Sequence, residues 1–219
     1  MKKLLLWNLL AILFFGSAIA QGIVTTRPQK RAIVLEEYTG INCPACPYGH
    51  AQAQAIADAN EGKVFIVNVH TGGYATPLAG QPDYRTPYGD DLAGQTSLGG
   101  YPSATINRHL FTDLTEDGGT ALFRYNWEEA SERIMSEASN VNVGVSTVYN
   151  PETREVAITV EAYYVEGLPF GVNSNFLNVV LLESNIIGYQ NGASSSYSHN
   201  HMLRDMITGQ WGEEITEIE

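Results

Sequence analysis

Cys43 and Cys46 are the residues whose type and spacing could do chemistry, because they are the only two cysteines of the chain and lie three positions apart. A disulfide between them would close a loop too small to remove much entropy from the unfolded chain, so it would be a poor structural staple. Two intervening residues nevertheless allow the sulfur atoms to bond with little backbone strain. The pair therefore indicates dithiol–disulfide redox chemistry.

The segments around the cysteines predict a strand, a helix and a second strand. Residues 32–39 are apolar and then mixed, and Gly40 ends this first strand. Pro44 is tolerated in the first turn of a helix that residues 51–57 continue. Residues 64–69 are apolar and β-branched, which favours a central strand. This order predicts a right-handed parallel crossover with the cysteines between the first strand and the helix.

A thiol at the start of a helix is acidified by unpaired N–H groups and by the positive end of the helix dipole. We therefore predict that Cys43 is the attacking thiolate. Cys46, one turn deeper, would be the shielded thiol that resolves a mixed disulfide by exchange.

Two other interpretations of the cysteine pair remain open. The first is an inert local disulfide in a domain kept for binding. The second is a metal site, because His50 follows Cys46 by one turn and could complete a Cys2His set, but a fourth ligand is not evident. We therefore predict neither a metal nor a cofactor. Surface, capping or hydrogen-bonding roles are favoured over metal ligation for three other histidines, His70, His199 and His201.

Two halves of the chain differ in pattern. Residues 99–108 predict a turn and a third strand, residues 109–114 a fourth, and residues 121–139 an amphipathic helix. We predict an α/β domain with a sheet of about four strands over residues 21–139. Residues 140–219 instead alternate at period two in several segments, which predicts an antiparallel β-sandwich-like domain. We expect that domain to be C-terminally incomplete, because it ends without an evident closing element.

Residues 1–20 predict a signal peptide and therefore export. Lys2 and Lys3 precede the apolar run Leu4–Phe15, and small residues before Gln21 form a cleavage signal. Removal of the two lysines takes the formal charge from −12 to −14. So acidic a chain repels nucleic acid, which binds clustered Lys and Arg, so we predict no nucleic-acid partner.

The cysteine motif and Tyr101-Pro102 before a later strand resemble the thioredoxin superfamily. The resemblance implies that Pro102 is the cis-proline against the disulfide, with Tyr101 beside it in the substrate groove. It also implies that Glu37, six residues before Cys43, is the buried acid that accepts the proton of Cys46. The strand pattern alone leaves open which of Glu36 and Glu37 points inward.

Two departures from the thioredoxin pattern concern the cysteine loop itself. Asn42 stands where the superfamily usually has Trp, and the intervening pair is Pro44-Ala45 rather than Gly-Pro. A proline at the first intervening position is more similar to glutaredoxins and periplasmic oxidases. The direction of electron flow is therefore left open.

A closer resemblance covers nearly all of the mature chain. Residues 36–40 and the following Cys-Pro-Ala-Cys-Pro, together with residues 99–102, 197–204 and 209–213, resemble the Omp-28-related outer membrane protein family of Bacteroidetes. That family has a thioredoxin-like domain followed by a β-domain. The resemblance implies a periplasmic, outer-membrane or cell-surface location.

Two functions follow as hypotheses. The first is an exported thiol–disulfide oxidoreductase, with protein thiols or disulfides as partners and Cys43, Cys46, Pro102 and Glu37 as site residues. The second is a non-enzymatic surface protein on a thioredoxin-like scaffold that binds an envelope protein. In either case we expect membrane association, if any, to be peripheral or to run through a partner.

Overall fold

The structure, a computed structural model, describes residues 22–115, 117–165 and 174–215. The predicted signal peptide, residues 1–20, lies outside these ranges. Within them are the following helices and strands: β1 Ile33–Thr39, α1 Cys46–Ala59, β2 Val64–His70, α2 Gly72–Ala75, α3 Gly89–Gly94, β3 Ser103–Ile106, β4 Leu122–Phe123, α4 Trp127–Ser136, β5 Val141–Asn150, β6 Glu155–Tyr164, β7 Asn175–Leu177, β8 Val180–Glu183, β9 Ile186–Gly188, β10 Tyr197–His199, β11 Met202–Met206 and β12 Glu213–Ile215.

A mixed six-stranded sheet with the order β4-β3-β1-β2-β11-β8 organises the described residues. β1 pairs in parallel with β2 across α1, which confirms the predicted strand–helix–strand crossover. β3 runs antiparallel to β1. One hydrophobic cluster includes Leu35, Ile106 and Trp127, and a second includes Tyr38 and Val69. Since neighbouring side chains of a strand point to opposite faces, β1 contributes to a core on each side of the sheet.

The outer strands of this sheet come from the C-terminal half of the chain. β11 pairs in parallel with β2, and β8 pairs antiparallel with β11. Within the described ranges the predicted β-sandwich of residues 140–219 is therefore not confirmed, and the boundary at residue 140 stays a prediction. The physical reason is that β2 is buried and apolar, so its second edge needs a strand to pair its backbone N–H and C=O groups.

The remaining part of the C-terminal half includes a long antiparallel hairpin of β5 and β6. Its polar face is covered at one end, around Asn142, by the start of the described chain: the amide of Asn142 donates to the carbonyls of Thr25 and Arg27, at 2.8 Å each. The opposite face is apolar and solvent-exposed, with Val143, Val145, Tyr149 and Val156 on it. Period-two alternation thus gave the strands correctly without showing which face is covered.

The predicted fourth strand at residues 109–114 is wrong. This segment forms turns in which Phe111 packs into the first core cluster, and the strand beside β3 is β4 instead. The predicted helix over residues 121–139 is shorter, because β4 and a 3₁₀ turn occupy its first residues. Across the described residues, the helices all fall short of the length and apolarity that a membrane-spanning helix requires.

Candidate functional site

Cys43 and Cys46 form a disulfide at the start of α1. The helix begins at Cys46 itself, so the prediction that Pro44 lies in its first turn is wrong. Pro47 occupies that turn, where a missing N–H costs no hydrogen bond. Both residues are buried, with 1% of Cys43 and 0% of Cys46 exposed. The burial of Cys46 agrees with a resolving thiol, whereas the burial of Cys43 means that a partner thiol needs local movement to reach it.

Glu37 lies at the centre of the sheet on β1 and is fully buried. Neither of its carboxyl oxygens has a hydrogen-bond partner among the residues that the structure describes. Burial therefore raises the pKa of Glu37 well above its usual value, because the charged form loses its hydration without compensation. A buried acid of this kind can hold a proton near neutral pH and pass it on.

Both candidate acids of β1 are buried, although the sequence pattern required only one to face inward. Glu36, on the other face of the sheet, accepts hydrogen bonds from Thr105 at 3.0 Å and from Arg108 at 2.8 and 2.6 Å. Glu36 is thus a paired structural carboxylate. Glu37 remains the acid that is available for proton transfer.

Pro102 follows a cis peptide bond after Tyr101, as the resemblance implied. The ring is buried and faces α1 at Gly49, where a β-carbon would lie 2.7 Å from two Pro102 ring carbons and 2.5 Å from Oε1 of Glu37. Gly49 follows Cys46 by three residues, so both lie on one face of the helix. The cis-proline and the buried acid therefore meet at Gly49, one helical turn after Cys46 of the disulfide.

Gly49 is the position that permits this meeting, so Gly49→Ala should destabilise the oxidised protein. The added methyl group must displace Glu37 or Pro102, and overpacking of this kind costs about 1–3 kcal/mol. Urea unfolding followed by circular dichroism measures the loss. Gly94→Ala in α3 is the control, because none of the described residues has a heavy atom within 4 Å of its β-carbon position. Equal stabilities for Gly49→Ala and Gly94→Ala would contradict the packing described above.

Tyr101 and Asn42 lie on the α2 side of the site. The ring of Tyr101 packs edge-on against Tyr74, with ring centroids 5.6 Å apart. Asn42, at the usual Trp position, donates to the carbonyl of Thr76 at 2.9 Å and exchanges amide hydrogen bonds with Gln81. These contacts hold the cysteine loop against the segment after α2, and the predicted groove role of Tyr101 stays a prediction.

A segment that sequence reasoning missed holds the other side of the cysteine loop. Residues 189–194, between β9 and β10, are called the strap here. Gln190 donates through Nε2 to the carbonyls of Gly40 at 3.2 Å and Cys43 at 3.1 Å. The amide N–H of Asn191 donates to the carbonyl of Ile41 at 2.8 Å. The strap therefore binds the backbone around Cys43 directly and contributes to its burial.

His50, on α1, is a titratable neighbour of Glu37. Its Nε2 lies 3.7 Å from Oε1 of Glu37 and 2.8 Å from Oγ1 of Thr39. Its Nδ1 lies 2.8 Å from the hydroxyl oxygen of Tyr197. Burial, and then the nearby His199, lower the pKa of His50 to about 4, so the ring is neutral at neutral pH.

A pocket of about 290 Å³ opens beside His50, between α1 and the chain around β10. Four histidines line it, together with Asn68 and Tyr197: His50, His70, His199 and His201. His70 is buried, and neither ring nitrogen has a partner within the part of the chain that the structure covers. Over the same residues, no three His, Cys, Asp or Glu side chains are placed to hold a metal ion. In the described part of the site, the pocket is therefore lined by several side chains that can accept or donate a proton.

The residues missed from the sequence share one property. Gln190 and Tyr197 each contact residues about 150 positions earlier, at Cys43 and His50. No local spacing reports such contacts. A signal existed only for Tyr197, which lies inside one of the segments that carried the family resemblance.

The model of the family described as Outer membrane protein Omp28 matches residues 90–219, more than half of the sequence. The chain belongs to the Omp28 family. Membership confirms the family predicted from the sequence, and the family name indicates an outer-membrane or cell-surface association. No curated protein matches the chain.

Two solved structures share the fold with this Omp28 family member. HBP35 of Porphyromonas gingivalis is 20% identical, with a TM-score of 0.62 over 85% of this chain. A protein from Agrobacterium tumefaciens, AGR_C_4864, is 16% identical, with a TM-score of 0.50 over 85% of this chain and 78% of its own. The chain spans only 60% of the length of HBP35. At these identities the likeness shows the fold alone.

Proposed function

We propose that this Omp28 family member is an exported thiol–disulfide oxidoreductase of the cell envelope. Cys43 would attack a disulfide of a partner protein and Cys46 would resolve the mixed disulfide. Pro102 would orient the incoming chain beside Tyr101, and Glu37 would accept and return the proton of Cys46. The partners would be protein thiols or disulfides of the periplasm, outer membrane or cell surface.

One observation carries the proposal: a buried acid and a cis-proline meet at Gly49, one turn of α1 after Cys46 of the cysteine pair. A structural disulfide needs neither a buried carboxyl without hydrogen bonds nor a tight contact between that carboxyl and the resolving cysteine's helix. A buried, unpaired carboxyl costs stability, since it loses hydration without gaining a partner. Proton exchange with Cys46 is a function that accounts for this cost.

The redox potential of the Cys43–Cys46 pair tests the proposal. We expect equilibration with glutathione buffers, followed by thiol alkylation and mass spectrometry, to give a reversible couple between about −120 and −270 mV. Cys43→Ser should abolish exchange with a model protein disulfide. Cys46→Ser is the matched variant, and it should instead trap a mixed disulfide on Cys43.

Two outcomes would overturn the proposal. A pair that stays oxidised to below about −300 mV would have the stability of a structural disulfide. Exchange that is unchanged in Cys43→Ser would show that another group is responsible.

The exposed face of the β5–β6 hairpin favours a second candidate function, that of a surface protein binding an envelope partner. Val143, Val145, Tyr149 and Val156 give this face an apolar surface. Binding of purified outer-membrane vesicles that persists in the Cys43→Ser, Cys46→Ser double variant but is lost in Val145→Lys would favour it. Val148→Lys is the control, since Val148 is equally exposed on the opposite face of the hairpin.

A further inference from the structure

We propose that His50 relays a proton between Glu37 and the histidine-lined pocket, through Tyr197, each time the Cys43–Cys46 pair is oxidised or reduced. The inference rests on the proposed oxidoreductase function and adds to it a route for the proton. His50 and Tyr197 would be proton-relay residues, without contact to the substrate.

The need for a relay follows from the position of Glu37. In the resolving step the Cys46 thiol gives its proton to the Glu37 carboxylate, and the Cys46 thiolate attacks the sulfur of Cys43. The bond between Cys43 and the substrate sulfur breaks, and its electron pair leaves with the substrate as a thiolate. The protein dithiol has then been oxidised by two electrons and the substrate disulfide reduced by two.

Burial raises the pKa of Glu37, so between half-reactions its carboxyl holds a proton that it must release before it can accept that of Cys46. Glu37 has no solvent contact of its own for this release, since its side chain is 0% exposed. The nearest group that can carry a proton outward is His50, with Nε2 3.7 Å from Oε1 of Glu37. Small movements within the turn that holds Gly49 would shorten this separation to a hydrogen bond. Thr39 holds the ring at Nε2 until then, at 2.8 Å.

The second ring nitrogen of His50, Nδ1, connects the proton route to the pocket. Nδ1 of His50 is 2.8 Å from the hydroxyl of Tyr197, and both residues line the pocket. The neutral ring can take a proton at Nε2 while Nδ1–H passes to Tyr197, whose own proton leaves into the pocket. Exposed Ala51 and Gln54 lie on the lining of the pocket, which therefore opens to solvent between α1 and β10. Each passage switches the tautomer of His50, and the reverse half-reaction restores it.

The titratable groups around His50 agree with a concerted transfer. They are Glu37 on β1, His70 at the end of β2, and Tyr197 and His199 on β10. Burial and His199 lower the pKa of His50, so a free imidazolium is disfavoured. If the ring gains a proton at one nitrogen while it loses a proton from the other, the imidazolium form is never populated.

The test is the lifetime of the mixed disulfide between Cys43 and glutathione. The reduced full chain is mixed with glutathione disulfide, quenched in acid and measured by mass spectrometry. General acid–base assistance contributes about 10²–10⁴-fold, so we expect resolution in His50→Ala to slow by about 100-fold. Added imidazole should enter the enlarged pocket and restore much of the rate. Tyr197→Phe should slow resolution as well.

His201→Ala is the matched control, because His201 lines the same pocket and approaches Gln54 rather than Glu37. In His201→Ala the mixed disulfide should resolve at the wild-type rate, and added imidazole should not change that rate. If His50→Ala does not fold, His50→Gln is used, and its resolution rate should rise with pH more steeply than that of wild type.

The outcomes separate this inference from the proposed function. Wild-type resolution in the His50 variants, or slowing that imidazole does not relieve, would overturn the relay and leave the oxidoreductase in place. A wild-type chain that forms no resolvable mixed disulfide would overturn the proposed function itself.

Discussion

Gly192→Ala is expected to speed reduction of the Cys43–Cys46 disulfide by about tenfold. Gly192 lies in the strap with φ +81°, and a β-carbon there would overlap the carbonyl of Pro44 inside the cysteine loop. The left-handed conformation costs a residue with a β-carbon about 1–2 kcal/mol, and about 1.4 kcal/mol is a factor of ten in an opening equilibrium. The alanine should therefore increase the fraction of molecules in which the strap is detached from the cysteine loop. A reductant can reach Cys43 in those molecules.

The measurement is the rate of disulfide reduction by a small thiol under conditions where the protein stays folded. Gly209→Ala is the control: it has φ +75°, and no heavy atom in the described ranges lies within 4 Å of its β-carbon position. The backbone penalty is therefore similar in the two variants, and only one of them touches the cysteine loop. Equal reduction rates in both would contradict a role for the strap in covering Cys43.

Acid should destabilise the oxidised protein between pH 6.5 and pH 5 by about 2 kcal/mol. Burial, followed by the charges of His199 and then of further neighbours, lowers the pKa of His70 to about 3, and burial lowers that of His50 to about 4. The unfolded chain binds protons at these histidines below about pH 6.5, whereas the folded chain does not. The free energy of unfolding therefore falls as the pH falls through this window.

Glu37 changes the free energy of unfolding in the opposite direction as the pH falls. Because burial raises its pKa, the folded chain keeps a proton that the unfolded chain loses, so its contribution to stability falls as the pH rises above about 4.5. His50 and His70, counted against Glu37, leave a net slope of about 1.4 kcal/mol per pH unit. Burial also lowers the pKa values of His199 and His201, which act in the same direction as the other two histidines. Glu37→Gln should remove the opposing contribution and steepen the loss of stability on acidification.

Urea unfolding at a series of pH values measures these slopes. His70→Phe should remove the contribution of one histidine from the pH dependence of the free energy of unfolding. The phenylalanine should keep the edge-on contact with Tyr84. His109→Phe replaces an exposed histidine and should retain the wild-type slope. A wild-type chain whose stability does not change between pH 6.5 and pH 5 would contradict the burial of neutral His50 and His70.

The parts of the site that could be predicted from the sequence are the local ones. The cysteine loop between β1 and α1 follows from a strand and helix-forming residues in succession, although α1 begins after Pro44 and not around it. The cis bond before Pro102 and the burial of Glu37 followed from a resemblance at short spacings, and the structure has both. The roles of these residues in catalysis stay predictions.

The parts that could not be predicted depend on contacts between distant segments. β11 has the mixed sequence Met-Leu-Arg-Asp-Met, which has no clear alternation, so nothing local marks it as the neighbour of β2. The strap has no periodic pattern, and its glutamine acts only because the carbonyls of Gly40 and Cys43 are within its reach. Alternation in β5 and β6 predicts two faces but does not show that residues near Thr25 cover the polar face around Asn142.

The pairing of Met202 with Asn68 gives the sheet a high contact order, because the edge of β2 is completed by a strand 134 residues later in the chain. Closing so long a loop costs entropy before any pairing stabilises it, and folds dominated by such contacts form slowly. The strap precedes β11 and depends on the same closure. During folding the two cysteines therefore pass through a period in which they are together but uncovered, and oxidants have access to the pair before the fold is complete.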